Sequence, residues 1–93
     1  MAIETVIYLT SWCPYCTRAK QLLAQKGARW TEIDIDTEPQ RRAEMIQRAG
    51  RSSVPQIFIG ERHIGGCDDL YALEQAGTLN ALLGLNTPER ASN

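Results

Sequence analysis

Ile3 to Leu9 reads Ile-Glu-Thr-Val-Ile-Tyr-Leu, a β-branched and apolar run closed by Thr10-Ser11, and this predicts a buried strand. From Pro14 to about Lys26 the period changes. Apolar residues fall at Cys16, Ala19, Leu22 and Leu23, one side of a helix, with Gly27 as its stop. Trp30 to Asp36 alternates with period two, a second strand. Thr37-Glu38-Pro39 turns the chain into another helix, with Ala43, Ile46 and Ala49 as its expected apolar face and Gly50 as its end. Gln56 to Ile59 reads as a short strand that Gly60-Glu61-Arg62 turns back into His63-Ile64, a hairpin. Asp68 or Asp69 is the expected cap of a third helix carrying Leu70, Leu73 and Ala76, broken at Gly77. Leu79, Leu82 and Leu83 suggest one last short helix. The expected domain is residues 1–85, with a frayed polar tail over 86–93.

The order β-α-β-α-β-β-α constrains the topology. The first β-α-β unit should be right-handed with parallel strands, and the closing hairpin makes the four-stranded sheet mixed. Helices should cover both faces, because the first strand is apolar on both sides. The expected fold class is α/β, a small sandwich.

Composition narrows the function. At 93 residues the chain suits one modest core, and a formal net charge of -1 gives no basic footprint for nucleic acid or an anionic membrane. No apolar run approaches a spanning length. Met1 to Thr5 lacks the basic segment of a signal peptide, so the expected location is the cytoplasm. Three unevenly placed cysteines do not make a disulfide scaffold, which leaves catalysis as the better reading of a C-x-x-C in such a chain.

The candidate chemistry starts at Cys13-Pro14-Tyr15-Cys16, between the first strand and the first helix. With Cys13 at the helix N-cap, its sulfur faces the free N–H groups of Tyr15 and Cys16. Pro14 at N1 loses nothing by lacking an N–H. Those donors and the helix dipole stabilise a thiolate. Cys16, one turn in, should be less exposed and stay a thiol. Cys13 is then the nucleophile and Cys16 the resolving thiol of thiol–disulfide exchange. The alternatives are a pair of packing cysteines or half a zinc site. Zinc wants four ligands, and only Cys67 and His63 remain to supply them. Tyr15 is a candidate groove wall; Trp12 is either a second wall or an exposed aromatic.

Two later segments add binding chemistry. Ser53-Val54-Pro55 stands before a strand, where a trans proline is the ordinary case. A cis bond would turn the Val54 N–H and C=O outward to pair with an extended peptide thiol. Gly65-Gly66-Cys67-Asp68-Asp69 reads either as a turn and cap or as a receptor: bare backbone for close approach, a helix N-terminus for a carboxylate, and an Asp for an ammonium. Cys67 reads as a buried thiol without a catalytic part and His63 as structural. Arg41, Arg42 and Arg48 read as a solvated helix face, one of which could meet a ligand carboxylate.

Together the three motifs resemble a dithiol glutaredoxin of the bacterial class, over about Ile3 to Leu83. The resemblance implies a thioredoxin-like fold, a cis Pro55, and glutathione as reductant and co-substrate. It implies that Cys13 and Cys16 are catalytic and that Tyr15, Ser53, Val54, Pro55, Cys67, Asp68 and Asp69 line the glutathione site. Arg42, by its distance before Pro55, would meet the glycine carboxylate. The chain departs from the family pattern at Thr10, where a lysine is common, at Trp12, where a small polar residue is common, and at Ser53, where threonine is common.

The expected function is glutathione-dependent reduction of protein disulfides and glutathionylated proteins. NADPH and glutathione reductase would regenerate the reductant. No metal, nucleic acid or membrane is expected, and the chain is read as a monomer. The alternatives are a dimer holding a two-iron, two-sulfur cluster through Cys13 and two glutathiones, which the rigid Pro14 opposes, and an electron donor recycled by thioredoxin reductase, which the Gly-Gly-Cys-Asp-Asp segment opposes.

Overall fold

A computed structural model describes residues 3–84 of the chain, so the expected tail over 86–93 lies outside the described residues. The elements are β1 (Thr5–Leu9), α1 (Pro14–Gln25), β2 (Thr31–Asp34), α2 (Gln40–Ala49), β3 (Gln56–Ile59), β4 (Arg62–Gly65), α3 (Cys67–Ala76) and α4 (Leu79–Leu83). The sheet order is β2-β1-β3-β4, with β1 parallel to β2 and the other pairs antiparallel. The strands are shorter at their ends than the apolar runs suggested. Ile3 and Glu4 are exposed, and β2 keeps only the part that pairs with β1.

β1 is central and buried on both faces, as its composition requires. Ile7 and Leu9 point into a core shared with Ile57, Ile59 and helices α1, α3 and α4. Tyr8 points the other way, into a smaller core with Ile33, Ile35, Phe58 and Met45 of α2. Cys13, Cys16 and Cys67 all belong to the larger core.

Two sequence expectations fail in physical detail. In α2, Ala43 and Ile46 are exposed, and the buried side chain is Met45. The surface beneath α2 is aromatic, and arginine stems help to cover it. The Arg48 guanidinium lies 4.1 Å from the Phe58 ring centroid and donates to the Tyr8 hydroxyl at 2.8 Å, while the Tyr8 hydroxyl donates to Glu44. Arg41 pairs with Glu44 at 2.9 Å, so Arg41 and Arg48 are not merely a solvated face. In α3 the N-cap is Gly66 rather than an aspartate; Asp69, three residues on, reaches back to accept the Gly66 N–H at 2.9 Å.

The α2 register has a direct check. Met45→Ala should cost about 2–5 kcal/mol of stability in urea unfolding, and Ile46→Ala about 0.5 kcal/mol or less. The reverse order would restore the face first read from the periodicity.

Candidate active site

The first strand delivers the chain to the site, and a tight turn at Thr10–Trp12 sets the helix start. Cys13 N–H donates to Thr10 C=O at 3.4 Å, and Cys13 adopts the extended N-cap conformation with Pro14 next in the helix. The Cys13 sulfur accepts the Cys16 N–H at 3.3 Å; of the two donors expected, only Cys16 makes the bond. Cys13 is 5% exposed and Cys16 is 1% exposed. Burial, followed by the hydrogen bond with Cys13, pushes the Cys16 thiol up to about 12, which keeps it protonated at neutral pH. Burial likewise raises the Cys67 thiol. All three cysteines are free.

One cleft of about 170 Å³ lies beside Cys13, lined by Tyr15, Arg51, Ser53, Val54, Pro55, Gly66, Cys67, Asp68 and Asp69. Of the sequence-derived binding residues, the fold brings Tyr15, Ser53, Val54, Pro55, Cys67, Asp68 and Asp69 together here. The Val54–Pro55 bond is cis, as the resemblance implied, and the Val54 C=O stands 3.8 Å from the Cys13 sulfur. Tyr15 is 55% exposed, a wall with one face free, whereas Trp12 is 71% exposed, bonded through Nε1 to Asp36 at 2.8 Å and not in the lining.

Arg42 is the binding residue that the fold does not bring into this cleft. It is exposed and reaches the Ser52 C=O at 3.5 Å. The cation in the lining is Arg51, 3.5 Å from Asp69, which the sequence reading passed over. Its position two residues before Ser53 was the available signal. Thr10 is buried, and its hydroxyl has no hydrogen-bond partner among the described residues. Gly65 requires a glycine: its φ is +117°, and a Cβ there would lie 2.2 Å from the Asp69 carboxylate.

A glutaredoxin family model matches residues 5–64. The chain belongs to the glutaredoxin family. It is 63% identical over 78 residues to a glutaredoxin of Pseudomonas aeruginosa, covering 84% of this chain and 93% of the relative. It is 57% identical over 77 residues to glutaredoxin 3 of Escherichia coli K12, covering 83% and 93%. A crystal structure of a buckwheat glutaredoxin–glutathione complex superposes with a TM-score of 0.82 at 36% identity, covering 88% of this chain and 77% of that one. Glutaredoxins are glutathione-dependent thiol–disulfide oxidoreductases, and this chain is such an enzyme with the thioredoxin-like fold.

The cap geometry separates the two aspartates. Asp69→Ala should lose about 0.5–2 kcal/mol in chemical unfolding, because the Gly66 N–H loses its acceptor. Asp68→Ala, at an exposed position, should stay near wild type, and Asp69→Asn should recover much of the loss. Equal effects at 68 and 69 would contradict this cap.

Proposed function

We propose that Cys13 is the attacking thiolate and that the cleft seats the glutathionyl half of the substrate. The observation that carries this reading is the Cys13 sulfur at the N-cap of α1, taking the Cys16 N–H at 3.3 Å and bordering the cleft wall at Val54. A helix N-terminus offers unpaired N–H groups and a positive dipole end, both of which favour a negative sulfur.

With a glutathionylated protein, the Cys13 thiolate attacks the glutathione sulfur. A new S–S bond joins Cys13 to glutathione, the old one breaks, and the protein leaves as a thiolate. A second glutathione thiolate then attacks the bound glutathionyl sulfur, releasing Cys13 and oxidised glutathione. With a protein disulfide, Cys13 first joins one protein sulfur. Cys16 then passes its proton to a leaving thiolate and attacks Cys13, releasing the protein dithiol and leaving a Cys13–Cys16 disulfide for two glutathiones to reduce. The high Cys16 proton affinity fits this order, because part of it comes from the Cys13 sulfur and fades once that sulfur is in a mixed disulfide.

The cleft lining offers chemistry suited to glutathione. Tyr15 supplies a wall, the Val54 backbone pairs with the cysteinyl backbone, and the N-terminus of α3 at Cys67 and Asp68 takes the γ-glutamyl carboxylate. Asp69 takes the ammonium, in competition with Arg51; Arg42, outside the cleft lining, reaches the glycine carboxylate by leaving its long contact with the Ser52 C=O. Protein disulfides and glutathionylated proteins are the substrates, NADPH-dependent glutathione reductase the regenerating partner, and the enzyme acts as a cytoplasmic monomer. The exchange sequence closes without a metal. A cluster shared between two chains is less well supported, since the rigid Pro14 beside Cys13 restricts rearrangement around the sulfur.

The division of labour is checked with two variants and two substrates. Cys13→Ser should abolish turnover of both. Cys16→Ser should keep reduction of a glutathionylated peptide and lose reduction of a protein disulfide. Substantial turnover by Cys13→Ser would overturn the assignment.

A further inference from the structure

Gln56 is a fully buried carboxamide, one residue past Pro55, and its side chain reaches back to Ser53 in the cleft wall. A buried amide is costly unless its donors and acceptor are met. Here both are. Its Nε2 donates to the Ser53 C=O at 3.0 Å and to the Ser53 hydroxyl at 3.3 Å. That commits Oε1 to the opposite side, where it lies 2.7 Å from His63 Nε2. With Oε1 as acceptor, His63 carries its hydrogen on Nε2. The His63 ring is itself held: it lies against Phe58 at 4.9 Å between centroids, and Phe58 is stacked in turn by Arg48.

These contacts form a continuous chain from β4 to the reacting sulfur: His63 to Gln56, Gln56 to Ser53, and Val54, the next residue, to Cys13. The wall needs such a hold. Among the described residues, no loop or turn backbone–backbone hydrogen bond involves residues 51–55; the Arg42 side chain reaches Ser52 only at 3.5 Å. Gln56 holds this segment from the buried side.

We propose that Gln56 and His63 are positioning residues for the substrate wall: the carboxamide, oriented by the imidazole N–H, holds Ser53 and Val54 in the place where a glutathionyl backbone must meet them. Neither residue touches the substrate. The proposal rests on the reading that the Ser53–Val54 wall receives glutathione. It predicts an effect on the KM for glutathionyl substrates and little effect on the intrinsic attack by Cys13.

The test compares wild type, His63→Phe and His63→Gln at one neutral pH. His63→Phe keeps a ring against Phe58 and removes the N–H; His63→Gln returns an N–H near the Nε2 position. Two substrates are used: a glutathionylated peptide, and the small aromatic disulfide dithiodipyridine, which has no glutathionyl group. His63→Phe should raise KM for the glutathionylated peptide roughly tenfold, in line with a buried acceptor left unmet, and leave the rate with dithiodipyridine within about twofold. His63→Gln should restore most of the KM. Proton exchange of the Gln56 side-chain amide in the unaltered enzyme gives a second reading that does not depend on a variant folding: slow exchange is expected, and solvent-like exchange would overturn the proposal. Equal losses with both substrates, an unchanged KM in His63→Phe, or no recovery in His63→Gln would each overturn it too. If wild type itself showed no saturable use of the glutathionylated peptide, the parent reading would fall first and this one with it.

Discussion

The hydrogen bond from the Cys16 N–H to the Cys13 sulfur is the contact on which the rest of the site depends. It exists because Cys13 ends a turn and begins a helix at the same residue. β1, central in the sheet and buried on both faces, fixes where the turn starts. Pro14 commits the next residue to helical geometry without wasting a donor. A sulfur one residue earlier would sit in the turn, and one residue later inside the helix barrel, and neither would face free N–H groups. Cys16 lies inside the helix, and burial there raises its proton affinity. Two identical side chains three positions apart thus occupy different surroundings, one at the helix N-cap and the other buried within the helix.

The binding half of the site is assembled by different means. Three segments far apart in sequence meet in one cleft: the start of α1, the loop before β3, and the start of α3. Each is positioned by a core element directly behind it. α3 packs through Leu70 and Cys67 into the core that also holds Cys13 and Cys16, so two helix N-termini face a common space. Asp69 serves both the fold, by capping Gly66, and the charge pattern of the cleft, by pairing with Arg51. The exposed ion pair contributes little to stability. Its consequence is the arrangement of an acid and a base side by side in the cleft lining.

Much of this was legible in the residues. The strand, turn and helix around Cys13-Pro14-Tyr15-Cys16 follow from periodicity and capping rules, and the fold class follows from the order of elements. The eight cleft residues other than Arg51 were recoverable from their motifs. Side-chain direction in α2 was not: Ala43, Ile46 and Ala49 satisfy a helical period, yet aromatic rings in the sheet accept arginine stems as cover, so Met45 turns inward. The α3 cap was missed because a glycine N-cap leaves no side-chain signal and the aspartate works backwards from N3. For Arg51 the signal was only its place beside the Ser53-Val54-Pro55 motif, because charged residues carry no periodic signature of which surface they face, and the Gln56–His63 contact crosses a hairpin with a bulge between Ile57 and Phe58.

The central claim, that the N-cap sulfur performs the attack while the neighbouring cleft seats glutathione, is tested most directly by trapping the intermediate. The Cys16→Ser protein is mixed with a glutathionylated peptide, quenched in acid within the first turnover, digested and mapped by mass spectrometry. The account predicts one glutathionyl group, on Cys13, with the peptide released as a free thiol. A glutathionyl group on Cys67, or the peptide itself joined to Cys13 while glutathione leaves, would contradict it.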